Sequence, residues 1–332
     1  MTAPATAPTG SRRATTVALL ASILLTGSCA LLPYQKADHG ITKVAVSRAQ
    51  ADAIYAHYKA VRKNALHLLD AQPLTATETG PVLAIDAGAL QVARRLLLTH
   101  EPDDSQALRI ERVLVPRLSR YPLWFVVVVD DGVRKLTKVQ IFERRTSVST
   151  WQMVASPEVL DTTALPAFKV DDTSALTPIG AGSSEGLDLS PTDAVRSYTA
   201  ALADPSVPAA SAVVADSFIS QMRAIAREQR RIKGVHFSES WSAQPVQYAL
   251  RTDDGGALVF ATLVRVDRYR IKPGTYVNWP EGSEQKAFLS GRLYTNGLLR
   301  YYHQLLMYIP PAGSGKPRVL GQYGGVVSGS GS

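Results

Sequence analysis

The sequence predicts an α+β protein of two tandem domains, each with N-terminal helices packed on a curved antiparallel sheet. Three observations carry that reading. Hydrophobic residues make up 45% and charged residues 19% of a 332-residue chain, enough to furnish cores for about two domains of roughly 150 residues each. Each half opens on helix-start signals with apolar residues three and four apart, then switches to strand-like patterns. In each half the switch is marked by an Asp-Asp-Gly step between two strand patterns, Asp130-Asp131-Gly132 and Asp253-Asp254-Gly255, a hairpin signal.

In chain order, the first element is a leader. Arg12-Arg13 precedes the apolar run Val17 to Leu25 and the small residues Thr26-Gly27-Ser28 before Cys29, which is the layout of a secretory signal peptide over 1–28. The run is too short to cross about 30 Å of hydrocarbon as a helix. Thr15 and Thr16 follow the arginine pair where a twin-arginine signal prefers apolar residues, which favours ordinary export. Residues 29–46 read as a tether. The first domain is expected over 47–168, a linker rich in Asp, Thr, Ser and Gly over 169–187, the second domain over 188–324 and a disordered Gly/Ser tail over 325–332.

Ser47 with Gln50 three residues on forms a capping box. Ala51, Ile54, Tyr58, Val61, Ala65 and Leu68 then supply one apolar stripe. A second helix is expected near 87–98. Strands follow at Leu123–Val129, Val133–Phe142 and around Ser147–Ala155. In the second half Ser190 caps, Pro191 suits the first helical position and Asp193 favours the positive helix end; a further helix is expected near 216–232. Strands are then expected at Val246–Thr252, Ala257–Val266, Lys286–Tyr294, Leu298–Ile309 and Val319–Tyr323.

Two stretches carry resemblances. Leu25-Thr26-Gly27-Ser28-Cys29 resembles a bacterial lipobox, with Thr26 departing from the usual Leu. That resemblance implies a cut after Ser28 and a diacylated Cys29 thiol, a membrane anchor at about 0.8 kcal/mol per buried CH₂. Asp193 to Leu202, Ala209 to Val214 and Asp216-Ser217-Phe218 look like the opening of nuclear-transport-factor-2-like (SnoaL-like) domains. With the lipobox and the tandem layout, the whole chain resembles uncharacterised actinobacterial lipoproteins with such α+β domains. The likeness implies a location on the outer face of the cell membrane and supplies no catalytic residues.

Chemistry is sparse. The lone Cys29 excludes an intramolecular disulfide and a cysteine-built zinc site. None of the six histidines stands at metal-ligand spacing, so no metal or other cofactor is expected. Gly182-Ser183-Ser184-Glu185-Gly186 matches a nucleophile elbow in letters, but no strand leads into it. Gly313-Ser314-Gly315-Lys316 lacks the hydroxyl residue and first glycine of a phosphate loop. The implied fold type sometimes holds an acid/base pair under its sheet; by that analogy Asp216, Tyr248, Tyr294 and His303 are pocket candidates. Alternation along the last strands puts Tyr302 and Tyr308 on one face with Arg300 and Gln304, and Tyr301 on the other with Leu299, Leu305 and Met307. One face should be core, and the Tyr302 face a polar, aromatic-bearing groove.

Charge is the last signal. The net charge of +8 falls to +6 once Arg12 and Arg13 leave with the leader. Arg223, Arg227, Arg230 and Arg231 share a predicted helix with the apolar Phe218, Ile219, Met222 and Ile225. They form a candidate contact for an anionic surface. Outside a membrane the expected partners are the membrane itself through Cys29, an anionic envelope polymer or another envelope protein, and not nucleic acid. The functional expectation is a non-enzymatic binding or scaffolding lipoprotein of the cell envelope; the competing one is a pocket-based hydrolase or isomerase of the SnoaL-like type.

Overall fold

Ser47 starts the first helix through the expected reciprocal cap. Its hydroxyl accepts from the Gln50 backbone N–H at 3.2 Å, and the Gln50 side chain accepts from the Ser47 N–H at 2.9 Å. The computed structural model describes residues 43–96, 108–160, 163–171, 175–289 and 291–332; the leader, Ser28, Cys29 and most of the tether lie outside them. In chain order the elements are β1 (Lys43–Val44), α1 (Arg48–Leu68), α2 (Gly80–Arg95), β2 (Leu108–Leu114), β3 (Arg117–Leu118), β4 (Leu123–Asp131), β5 (Leu136–Arg144), β6 (Gln152–Ala155), β7 (Glu158–Leu160), α3 (Pro191–Ala203), α4 (Ser217–Arg230), β8 (Val235–Ala243), β9 (Tyr248–Arg251), β10 (Ala257–Ile271), α5 (Glu284–Phe288), β11 (Asn296–Ile309) and β12 (Arg318–Gly331). The fold is α+β, with a large antiparallel sheet and few helices.

The second-half helices also start where their caps stand. The Ser190 hydroxyl accepts from the Asp193 N–H at 3.1 Å, and Pro191 opens α3. Asp216 caps α4 by accepting from the Ile219 N–H at 2.8 Å and also receives the Tyr198 hydroxyl at 2.7 Å. That pairing assigns Asp216 a structural task. In α1 the buried face is rotated from the expected stripe: Tyr55 and Arg62 are buried, while Leu68 is 55% exposed.

Ten strands form one sheet, ordered β2-β4-β5-β7-β12-β11-β10-β8 with β6 on β5 and β9 on β10. The halves join where β7 pairs with β12, Val159 opposite Gly321. Residues 41–332 accordingly form one compact unit. The segment expected as a linker carries pairings of its own, Leu176 with Pro116 and Pro178 with Leu250.

Alternation distributes the cores. Phe125, Val127 and Val129 of β4 face Tyr55 and Tyr58 of α1. The intervening Trp124, Val126 and Val128 pack instead against Tyr248, Leu258, Phe260, Leu306 and Tyr308 of the second half, so the sheet folds back on itself. Trp124 and Tyr248 meet edge to face at 5.5 Å. The opposite face of β10 and β11 packs on α3 and α4 through Leu263, Leu305, Val195, Tyr198, Ile219 and Met222. The face expected as a polar groove is therefore largely covered: Leu306 and Tyr308 are buried in the shared core, and Gln304 bonds the Ser156 N–H and the Val154 carbonyl.

Two further expectations are corrected. Residues 325–332 are not a disordered tail: they complete β12, paired with β11 as far as Gly297 opposite Gly331. Backbone pairing with β11 holds these Gly and Ser residues in the strand despite their low strand propensity. Residues 286–294 do not form a strand. They begin inside α5 and turn at Gly291, whose φ of +88° breaks extended pairing.

A buried ion network ties the first-half helices to this last strand. Arg62 of α1 lies 3.1 Å from Asp86 of α2 and 3.9 Å from Glu78, while the Tyr323 hydroxyl of β12 bonds Asp86. Both Glu78 carboxyl oxygens are buried without a hydrogen-bond partner among the described residues. Burial, followed by the neighbouring Asp86 charge, pushes Glu78 well above the usual carboxylate range.

Candidate functional site

Three neighbouring strands align in register to build the site. Trp241 of β8 faces Arg265 of β10, and Arg265 faces Tyr301 of β11. Two residues along β10, on the same face because strand side chains alternate, Asp267 stands opposite Glu239. In the other direction Leu263 stands opposite His303. A buried cation thus sits between two aromatic rings, with carboxylates in the row above and an imidazole in the row below.

The geometry is tight. Arg265 donates from Nε to Asp267 at 2.7 Å and from Nη2 to the second carboxylate oxygen, a bidentate pair. Its guanidinium carbon lies 4.6 Å from the Tyr301 ring centroid and 5.8 Å from that of Trp241. Its Nη1 meets the Met222 sulfur at 3.1 Å. Glu239 lies 3.9 Å from Arg265 Nε and takes the Trp241 indole N–H at 3.3 Å. Burial raises the Glu239 carboxyl above its ordinary value, with Arg265 opposing. Burial likewise raises Asp267 against the pull of Arg265.

His303 is 7% exposed and ringed by Phe218 at 5.2 Å, Trp241 at 5.4 Å and Tyr301 at 6.2 Å. Burial, then the Arg265 charge, lowers its pKa to about 3, so the ring is neutral at physiological pH. Its Nε2 is buried without a hydrogen-bond partner among the described residues. Opposite it on β12 stands Gly324, where a Cβ would come within 2.7 Å of His303 Nδ1 and 2.4 Å of the Tyr302 carbonyl oxygen; only glycine leaves the ring its place.

These residues wall an open cavity of about 490 Å³. Phe218, Gln221, Met222 and Ile225 of α4 form one side, Arg265, Tyr301 and His303 the sheet side, and Glu284, Gln285 and the Gln322–Gly325 stretch the end. Ser, Thr, Cys and Lys, the side chains that commonly act as nucleophiles, are not among the described residues that line it. No group of three or more His, Cys, Asp or Glu that could hold a metal ion occurs among the described residues. A second cavity of about 240 Å³, on the side facing the first half, is lined by Tyr248, Glu143, Arg145 and Gln304.

Of the pocket and groove candidates named from the sequence, His303 alone lines the larger cavity. Tyr248 lies in the smaller one, its hydroxyl bonded to Glu143. Tyr302 precedes His303 and faces the opposite side of β11, and Tyr294 is 55% exposed beside Tyr276, 6.2 Å between rings. The basic residues of α4 divide. Arg223 donates to the Ala201 carbonyl, Arg230 pairs with Glu239 at 3.3 Å, and Arg231 with Glu228 at 2.8 Å; Arg227 is exposed. Sequence reasoning missed Arg265, Asp267, Glu239 and Glu284. A signal existed for the first two: they occupy the positions that continue the core-facing series Ala257, Val259, Ala261, Leu263.

Comparison with known proteins agrees with the lipoprotein reading in outline. Residues 42–331 match the family described as "Domain of unknown function (DUF8094)". The chain is 25% identical over 307 residues, 88% of its own length and 89% of the relative's, to "Uncharacterized lipoprotein SCO2278" of Streptomyces coelicolor. No solved structure matches. Among the described residues no helix is long and apolar enough to cross a membrane.

Proposed function

From its place in the DUF8094 family, to which the chain belongs, we propose a lipid-anchored protein of the membrane's outer face that binds a small ligand without transforming it. The anchor half of the proposal rests on Cys29 within its lipobox-like segment and on a relative named as a lipoprotein. The second half rests on the cavity against β10 and β11. Each half of the chain is taken as one SnoaL-like module, supported by the shared order of two helices and then antiparallel strands. The basic α4 surface is left with Arg227 and Lys233, both exposed, as the contact for anionic headgroups or envelope polymer.

The observation that carries binding over catalysis is the state of the cavity's ionisable groups. A proton-transfer catalyst works best with a pKa near the operating pH. His303, lowered to about 3, is far from it, and Asp267 is held by both of its oxygens on Arg265. What remains, with the carboxylates Glu158 and Glu284 in the lining, is a polar and aromatic recess suited to holding a molecule.

Equilibrium dialysis of the full chain in detergent against a small-molecule extract of cell envelopes, read by mass spectrometry, tests this. The wild type should retain a species that a His303→Phe variant does not, unchanged in mass. A product of altered mass that accumulates in proportion to wild-type protein would establish the enzyme reading instead.

A further inference from the structure

The uncompensated charge at the cavity identifies the class of ligand. Arg265 is balanced by Asp267 and by Glu239. Glu158, at the cavity wall, is balanced by Lys138 at 3.2 Å. Glu284 is different: exposed at the start of α5, it lines the cavity mouth and makes no ion pair or side-chain hydrogen bond among the described residues. It also lines an adjoining cavity of about 310 Å³ whose far wall is the apolar Ile85, Val92 and Leu96. A bare carboxylate therefore stands where a charged head and an apolar body could be accommodated side by side.

A second feature is independent of that carboxylate. His303 Nε2 is buried, on a residue more than nine-tenths shielded, and lacks a partner among the described residues. An unpaired buried polar atom costs free energy unless something meets it, and a neutral imidazole offers one acceptor nitrogen. Phe218 lines the cavity beside it, an aromatic ring of the kind that attracts cations through its quadrupole, whereas the Tyr301 ring already carries the Arg265 guanidinium at 4.6 Å. An anion would have to enter past Glu284 and Glu158, the carboxylates of the lining, and Arg265, the guanidinium that lines the cavity, is already chelated by Asp267.

Resting on the binding function proposed above, we propose that the cavity takes a small organic cation, an ammonium group on an apolar or aromatic body. Glu284 is its counter-charge at the mouth, Phe218 its aromatic wall, and His303 Nε2 an acceptor for one ammonium hydrogen.

Three probes of one shape test the charge: 2-phenylethylammonium, neutral 2-phenylethanol and anionic phenylacetate, titrated calorimetrically into the full chain in detergent. The ammonium should bind tightest. Glu284→Gln should weaken it about threefold, the scale of a solvent-exposed charge pair, and leave the alcohol unchanged. Gln221→Trp, at an exposed position on the cavity wall, should block all three without unfolding the protein, as circular dichroism would verify. If the alcohol or phenylacetate binds better than the ammonium and Gln221→Trp abolishes it, the cation assignment is overturned while the binding function stands. If none of the three binds, the cation assignment is overturned, and the dialysis against envelope extract decides the binding function.

Discussion

At the scale of single residues, one cause shifts two ionisable groups in opposite directions, because burial disfavours the charged form of each. Burial is the first cause in each: it lowers His303 to about 3 and pushes Glu78 well above the usual carboxylate range. For Glu78 the folded state keeps a proton above pH 4.5 that the unfolded chain releases. Its contribution is therefore fully present below the unfolded value and is lost as pH rises. Glu78→Gln removes that loss, and Arg62 retains Asp86 at 3.1 Å. The variant should melt roughly 2–4 °C higher than wild type at pH 8, with a smaller gain at pH 5, read by thermal denaturation; equal melting at both values would refute the assignment. His303 has the opposite sign. Its folded pKa lies below the unfolded one, so stability should fall as pH drops from about 6.5 to about 3, and His303→Phe should flatten that stretch of the profile.

At the scale of elements, α2 depends on one glycine. A Cβ at Gly88 would stand 2.1 Å from the Val326 carbonyl oxygen of β12, so the helix lies against a strand backbone with no side chain between. Gly88→Ala should cost about 1–3 kcal/mol, the range for overpacking a filled contact. Gly132→Ala, whose nearest neighbour would be 3.9 Å away, should cost far less; chemical denaturation compares the two. Elements are legible in the sequence where local chemistry determines them. Ser47 with Gln50, and Ser190 with Pro191, place α1 and α3 without tertiary help, and Asp-Gly steps place both hairpins. β8, absent from the expected strands, carries a strand signal of its own: Val235, Phe237, Trp241 and Ala243 alternate with His236, Ser238, Ser240 and Ser242, a period-2 pattern broken only by Glu239. The strand expected at 286–294 fails because apolar spacing over so short a run serves helix and strand alike.

At the scale of the whole molecule, the two halves on either side of the boundary expected at residues 169–187 share one sheet. Trp124 and Val128 bury themselves against Tyr248 and Phe260, so each half covers an apolar face of the other. Calorimetry should give a single unfolding transition, and residues 175–332 expressed alone should aggregate or remain partly unfolded; two separate transitions would mean independent domains. This coupling is invisible to composition, because contacts distant in sequence leave no local signature. The same holds for the site: His303 stands out by its residue type, whereas the alignment of Trp241, Arg265 and Tyr301 exists only once three strands are in register. Cys29→Ser should move the protein from the membrane to the soluble fraction on cell fractionation; retention on the membrane would place the anchor elsewhere.

The pairing of β7 with β12 also sets an order of events. A chain that crosses a membrane N-terminus first delivers β12 after every other element described, yet β12 is the strand that joins the two halves of the sheet and supplies Tyr323 to the buried Arg62 network. Until residues 318–331 arrive, β11 lacks a neighbour on that side and Gly88 has no strand to rest on. Closing so distant a contact is slow, and the unfinished sheet stays open until that stretch has crossed. On the proposed route to the membrane's outer face, the two halves of the sheet would therefore lock together only once residues 318–331 are out.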